Sequence, residues 1–340
     1  MNRKLVFICL VITITFAPCA VTAQPQSIGS FQNAVAVSVN PASGDIFVID
    51  EATSKLYRFD RDGKAIAVIG GSGIENENLN APSGLTASDG INLYIADRGN
   101  QRIVRYDRYL NFISSFSSLA SSASGNVSPT LPQTIRPLGV AVSAQGDLFI
   151  LEESLRQVIK LNPFDPAQRS AIVSGGASGG TGNALLTFGG FDAGKGRLEE
   201  PVQIEVSAGG TVFIADEKLS CVIAFDQFGN FITRIGEGVF GRPKSLATGM
   251  VTFTLTNGEK QSRECLLVAD EKNIFVVGAA AATGHAVLKK IPLAALELSR
   301  PQPAAALNLT GLALTRTDLL LLTKTTLYKL PLSQTGIDTL

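Results

Sequence analysis

Apolar residues in this chain come in short runs, each cut by a polar turn rich in Gly, Asn, Asp or Ser, and the runs recur as one phrase. The phrase is a strand, a polar turn, a second strand ending in an acidic residue, and then a third strand. It is read most easily in AVAVSVNPASGDIFVIDEATSKLYRFD, APSGLTASDGINLYIADRGNQRIVRYD, RPLGVAVSAQGDLFILEESLRQVIKLN and EPVQIEVSAGGTVFIADEKLSCVIAFD. Val, Ile, Leu, Phe and Tyr fill the runs with little alternation, which suits sheets covered on both faces. The residue closing the second strand is Asp50, Asp97, Glu152, Asp216 and Asp270, with Thr323 in its place in a sixth copy. Pro82, Pro137 and Pro201 stand 15 residues before their acids, whereas Pro243 stands 27 before Asp270, so the fifth unit carries about a dozen extra residues. Phe59, Tyr106, Leu161 and Phe225 close the third strand nine residues after the acid. A β-sandwich has no reason to keep these spacings. The pattern predicts an all-β, six-bladed β-propeller.

Ring closure is also written in the chain. Ser27-Ile28-Gly29-Ser30-Phe31 reads like the fourth strand Phe112-Ile113-Ser114-Ser115-Phe116. The last unit has strands at about 309–314, 318–323 and 326–330 and then only the polar tail SQTGIDTL. The N-terminal strand is therefore expected to complete the last blade, which removes an exposed edge. Up-and-down strands place the links between blades and the turns after the acids on one face, and the other turns on the opposite face. On the link face fall the Ser-rich link 117–135, the Gly-rich link 175–199, Arg98 and Asn100. Arg136, Arg242 and Glu200, each directly before a proline, enter the innermost strands there. Loops on a rigid scaffold are where binding residues gather, so Arg136, Arg242, Glu200, Arg98 and Asn100 are the candidate binding residues.

The segments PSGLTASDGINLYIADRGNQRIVRYD (82–107), PLGVAVSAQGDLFI (137–150) and FGGFDAGKGRLEEPVQIEVSAGGTVFIADEKLSCVIAFDQFGNFITRIGEG (188–238) are similar to the NHL-repeat β-propellers. The resemblance covers most of residues 27–332. The third unit departs from it with Leu151-Glu152 where the family prefers Ala-Asp, and the fifth and sixth units are degenerate. It implies the six-bladed fold and leaves activity open, because such propellers serve in adhesion, signalling, RNA binding and catalysis.

Residues 1–23 read as a secretory signal: Arg3 and Lys4, the apolar run Leu5–Phe16, and a small-residue cleavage site ending at Ala23. Residues 24–340 then form the propeller domain, secreted or periplasmic. Cleavage after Ala23 is favoured over lipidation of Cys19, because Pro18 spoils the residues before it. The apolar run is too short to span a bilayer, and no other stretch is a membrane span. Balanced charge, with 29 basic and 29 acidic residues, argues against a nucleic-acid partner. Cys221 and Cys265 begin strands at opposite ends of their blades and are expected to stay unpaired.

The chemical motifs are thin. Gly189–Lys195 fits the start of a phosphate loop, but Gly196 stands where Ser or Thr is needed, so it reads as a blade link. Asp60-Arg61-Asp62-Gly63 lacks the later ligands of a calcium loop and reads as a hairpin turn. Asn126 and Asn308 head weak glycosylation acceptors. The single histidine, His285, excludes a multi-histidine zinc site. It also argues against the His-dependent chemistry of amidating lyases and streptogramin lyases, which the resemblance brings to mind. No catalytic residue and no metal ligand is assigned. The leading reading is a monomeric, non-catalytic scaffold binding a protein, small-molecule or glycan ligand, with no cofactor. The alternative is a metal-assisted lactone or ester hydrolase similar to the calcium-dependent propeller lactonases, for which calcium would be the cofactor.

Overall fold

The computed structural model describes residues 25–117, 134–164, 186–255, 257–279, 285–296 and 307–338. The expected signal segment with Cys19, Asn126, residues 118–133 of the first link and 175–185 of the second lie outside the described residues. Six four-stranded antiparallel sheets make the blades. Blade one is β2–β5 (Ala34–Val39, Ile46–Asp50, Lys55–Phe59, Ala65–Gly70). Blade two is β6–β9 (Gly84–Thr86, Asn92–Asp97, Arg102–Asp107, Phe112–Phe116), and blade three is β10–β13 (Pro137–Val142, Leu148–Glu152, Gln157–Leu161, Leu186–Phe188). Blade four is β14–β17 (Pro201–Val206, Val212–Asp216, Cys221–Phe225, Phe231–Ile235). Blade five is β18–β21 (Ser245–Thr254, Lys260–Ala269, Asn273–Gly278, Val287–Pro292). Blade six joins β22–β24 (Leu309–Leu314, Asp318–Thr323, Leu327–Pro331) to β1 (Gln26–Ile28).

The expected closure is present: Gln26, Ser27 and Ile28 pair with Lys329, Tyr328 and Leu327. Phe31, buried just after β1, sets its ring edge-on against Tyr57 and Phe59 of blade one. The strand thus finishes one blade and anchors the next. The dozen extra residues of the fifth unit lengthen β18 and β19 into a hairpin of two ten-residue strands that rises from the turn face. Its inner side, Val251 and Phe253, is buried with Leu332 and Ile337 of the C-terminal tail, and Thr254 donates its N–H to the Asp338 carbonyl.

The repeated acid explains the spacing of the repeat. Asp50, Asp97, Glu152 and Asp216 are fully buried, and each carboxylate takes backbone N–H groups from the link entering its own blade. Asp50, Glu152, Asp216 and Asp270 also accept an N–H from the turn that follows. One carboxylate therefore ties a blade's first strand to its second, which fixes the distance from link to acid. The link-entering residue is followed by the same irregularity in four blades, a register shift after Ala34, Pro137, Pro201 and Leu309.

Apolar side chains fill six clusters, one in each seam between neighbouring blades. Cys221 and Cys265 are free and buried in two different clusters, and burial pushes both thiols up to about 11. Four seams carry a further clip on the turn face. Arg58 is held by Asp45 and lies 5.8 Å from the Tyr109 ring centroid of the next blade. Arg105 is held by Asn92 and lies 4.8 Å from the Phe164 ring centroid; Lys160 is held by Asp147 and donates to the Gln227 carbonyl. Lys329, near Asp318, reaches the Arg61 carbonyl of blade one. By strand register the same positions are Thr211 and Ala224 in blade four and Cys265 and Val276 in blade five. The seams from four to five and from five to six therefore lack this clip.

Candidate functional site

On the link face the predicted binding residues meet partners within the ring. Arg98 donates two hydrogen bonds to Glu153, at 3.0 and 2.6 Å, and Arg136 approaches the same carboxylate at 3.4 Å. The hydrogen bond from Arg98 holds the Glu153 carboxyl below its usual range. Arg242 lies 3.4 Å from Glu217. Glu200 offers its backbone N–H to Asp216, and its side chain lines a polar recess of about 360 Å³ with Arg156, Glu199 and Lys218. Asn100 donates to Asp97 and to the Gly73 carbonyl. The structure thus gathers Arg98 and Arg136 around one carboxylate and spreads the other three along the rim. His285 lies before β21, buried against Phe213, with Nδ1 near the Gly278 carbonyl.

A central channel of about 780 Å³ is lined by the first strand of every blade and opens among the turns on the face opposite the links. Close approach of these strands demands small residues. A Cβ on Gly84 would fall 3.0 Å from the Gly139 Cα, and one on Gly311 would fall 3.1 Å from Val37. The register makes the equivalent positions explicit. The residues paired with the second strand one place before its closing residue are Ala36, Gly84, Gly139, Gln203, Ser245 and Gly311. Two residues on they are Ser38, Thr86, Ala141, Glu205, Ala247 and Ala313. Blade four alone breaks both rings, with a long amide and a carboxylate.

Both side chains reach toward blade five. Gln203 accepts the Leu246 N–H at 2.8 Å and donates to the Leu246 carbonyl at 3.1 Å. Glu205 receives the Thr248 hydroxyl at 3.2 Å. Just beyond, Glu264 on the long hairpin accepts the Ala208 N–H, joining the turn of blade four to the wall of the mouth. Glu205 is the only ionisable residue on the six inner strands. Its accessible surface is partial and lies in the channel. Loss of solvation pushes its carboxyl from 4.5 to about 7, opposed only by hydrogen bonds from Thr248.

Sequence reading missed Glu205 and Gln203. The signal was present in the comparison of the copies with one another, where a ring of small residues is interrupted in one unit. A calcium ion needs six to eight oxygen ligands. The inner strands supply one carboxylate, and among the described residues no three His, Cys, Asp or Glu side chains come together. Between the inner strands the side chains open to such an ion are thus one carboxylate, Glu205, and one amide, Gln203, with a few hydroxyls. What the channel can do is enclose a small molecule between uncharged inner strands, meet it there with one carboxyl group, and present charged residues only at its two ends.

No protein-family model and no curated protein matches the sequence. Solved structures do match. Virginiamycin B lyase from Staphylococcus aureus superposes with a TM-score of 0.53 at 10% identity, over 91% of this chain and 99% of that one. A putative gluconolactonase gives 0.55 at 13% identity, over 92% and 93%. The WD40 repeats of RRP9 give 0.53 at 9% identity, over 91% and 97%. At such identities the likeness is one of fold. The chain is a six-bladed β-propeller similar in architecture to lyases, a putative lactonase and repeat scaffolds alike.

Proposed function

We propose that this protein is a non-catalytic propeller scaffold, secreted or periplasmic, that takes a small ligand into its central channel from the turn face. The observation that carries this reading is the channel itself, about 780 Å³ with a single ionisable group on its inner strands. Pockets of roughly 300–1,000 Å³, mostly apolar with a few placed polar groups, are the size and character that enclose small molecules. The link-face candidates Arg98, Arg136 and Arg242 serve in this reading as ties within the rim, since each already faces a carboxylate.

Two catalytic readings have less support. One solved neighbour is a virginiamycin B lyase variant described as catalytically inactive, in which a histidine is replaced by alanine. Here the single histidine is buried outside the channel lining. A lactonase would need a metal-binding set, to which the inner strands contribute a single carboxylate, Glu205. The test is a melting screen of the purified chain with small ligands, run beside lactone and ester hydrolysis assays with added calcium. A ligand-dependent rise in melting temperature without turnover is expected. Calcium-dependent turnover would replace the scaffold reading with the hydrolase.

A further inference from the structure

We propose that the channel ligand is a small primary amine with an apolar body, its ammonium seated on the Glu205 carboxylate. This rests on the channel-binding reading and adds the chemistry of the ligand. Three observations converge. First, a carboxyl group stands where every other blade has Ser, Thr or Ala, at a place where loss of solvation makes its ionised form costly. Second, its present hydrogen bonding from Thr248 leaves acceptor sites of an ionised carboxylate unused. Third, apolar side chains with part of their surface open line the channel, Val35, Val39, Leu138, Val202 and Leu314 among them, interspersed with serines and threonines. A counter-charge seated beside the carboxylate in the same cavity offsets the cost of ionising it when the remaining oxygens and N–H groups find hydrogen bonds.

The surrounding charges favour a cation at this point. Inner strands β10 and β18, which flank β14, carry no charged residue, and β15 behind it has only Asp216 at its far end. His285, across the seam, packs on Phe213, the register partner of Glu205. Glu264 stands at the mouth on the same side. The rim cations Arg61, Arg316 and Lys329 come from blades one and six, with Asp62 and Asp318 beside them, and Lys244 stands at the link end. The mouth is thus acidic beside blades four and five, and its bases lie toward blades six and one.

Because the empty carboxyl holds its proton up to about pH 7, an ammonium must displace that proton to bind. Affinity should fall about tenfold per pH unit below 7 and level off above it. The probes are phenethylamine, phenethyl alcohol and 3-phenylpropionate, titrated by calorimetry at pH 5 to 8 in two buffers of different ionisation enthalpy. Phenethylamine is expected to bind best, to release protons near pH 6, and to lose at least about tenfold in affinity in Glu205→Gln. Binding of the alcohol or the acid equal to that of the amine, or amine binding unchanged by Glu205→Gln, overturns the inference while leaving the channel reading intact. No binding of any probe at millimolar concentration overturns both. Should Glu205→Gln fail to fold, the pH slope and proton release of the native chain decide the matter alone.

Discussion

Asp216 shows how one side chain can set the geometry of a blade. Its buried carboxylate collects the N–H groups of Glu199, Glu200 and Leu219, so a link, a first strand and a turn hang on two oxygen atoms. Replacing it by alanine strands those donors near a site that water reaches poorly. Asp216→Ala is expected to cost about 3 kcal/mol or more, read as a lower urea midpoint with an unchanged slope. The role was legible beforehand, because a short acid at a fixed distance from a proline has few uses other than turn and link bonding. The ion pairing of Arg136 and Arg242 was not legible. Their partners Glu153 and Glu217 lie 17 and 25 residues away, and only the ring brings them together. Glu205 was hidden for a different reason. The eye follows what recurs, and the informative residue here is the one that fails to recur, in a strand whose register slips just upstream.

At the scale of elements, β1 bears the clearest prediction. Three residues pair with β24, and Ile28 and Phe31 are almost fully buried. The burial of these two side chains contributes roughly 4 kcal/mol and the ladder about 1 kcal/mol per bond, against a total stability of about 5–15 kcal/mol. A chain starting at Asn33 is expected to melt well below one starting at Gln24 and to associate through the bared edge of β24, seen as concentration-dependent light scattering. Equal melting curves would show that β1 adds nothing to the ring. The strand was foreseen from its likeness to Phe112–Phe116, though it is shorter than expected, ending at Ile28. Gly29, with φ of +67°, turns the chain there so that Phe31 can reach Tyr57 and Phe59 in the same seam cluster that holds Ile28. The hairpin of blade five was foreseen only as surplus length. That it rises beside the channel follows from Val251 and Phe253, which need a cover, and from the tail residues Leu332 and Ile337 that supply it.

For the molecule as a whole, stability should carry the mark of the channel. The folded state keeps a proton on Glu205 up to about pH 7, whereas the unfolded chain releases it near 4.5. The folded state therefore binds more protons across that window, and stability contributed by this group falls as pH rises from about 4.5 to about 7. Melting curves of the native chain at pH 5, 6, 7 and 8 should show the decline, and Glu205→Gln should lessen it and melt higher than the native chain at pH 8. A decline of the same size in both proteins would place the effect elsewhere. At this scale six-fold repetition was readable from the chain, while the inequality of the seams was not, because the clips join residues of successive units that no single unit displays. The closing strand has a last consequence, which lies in time. Ile28 meets Leu327 across about 300 residues of chain, whereas each other blade is complete within its own stretch. During synthesis at roughly 5–20 residues per second the first strand made must wait about 15–60 seconds for its partner. Until then the growing protein is an open arc with one unfinished end, and whatever guards it from its neighbours must do so for the whole of its making.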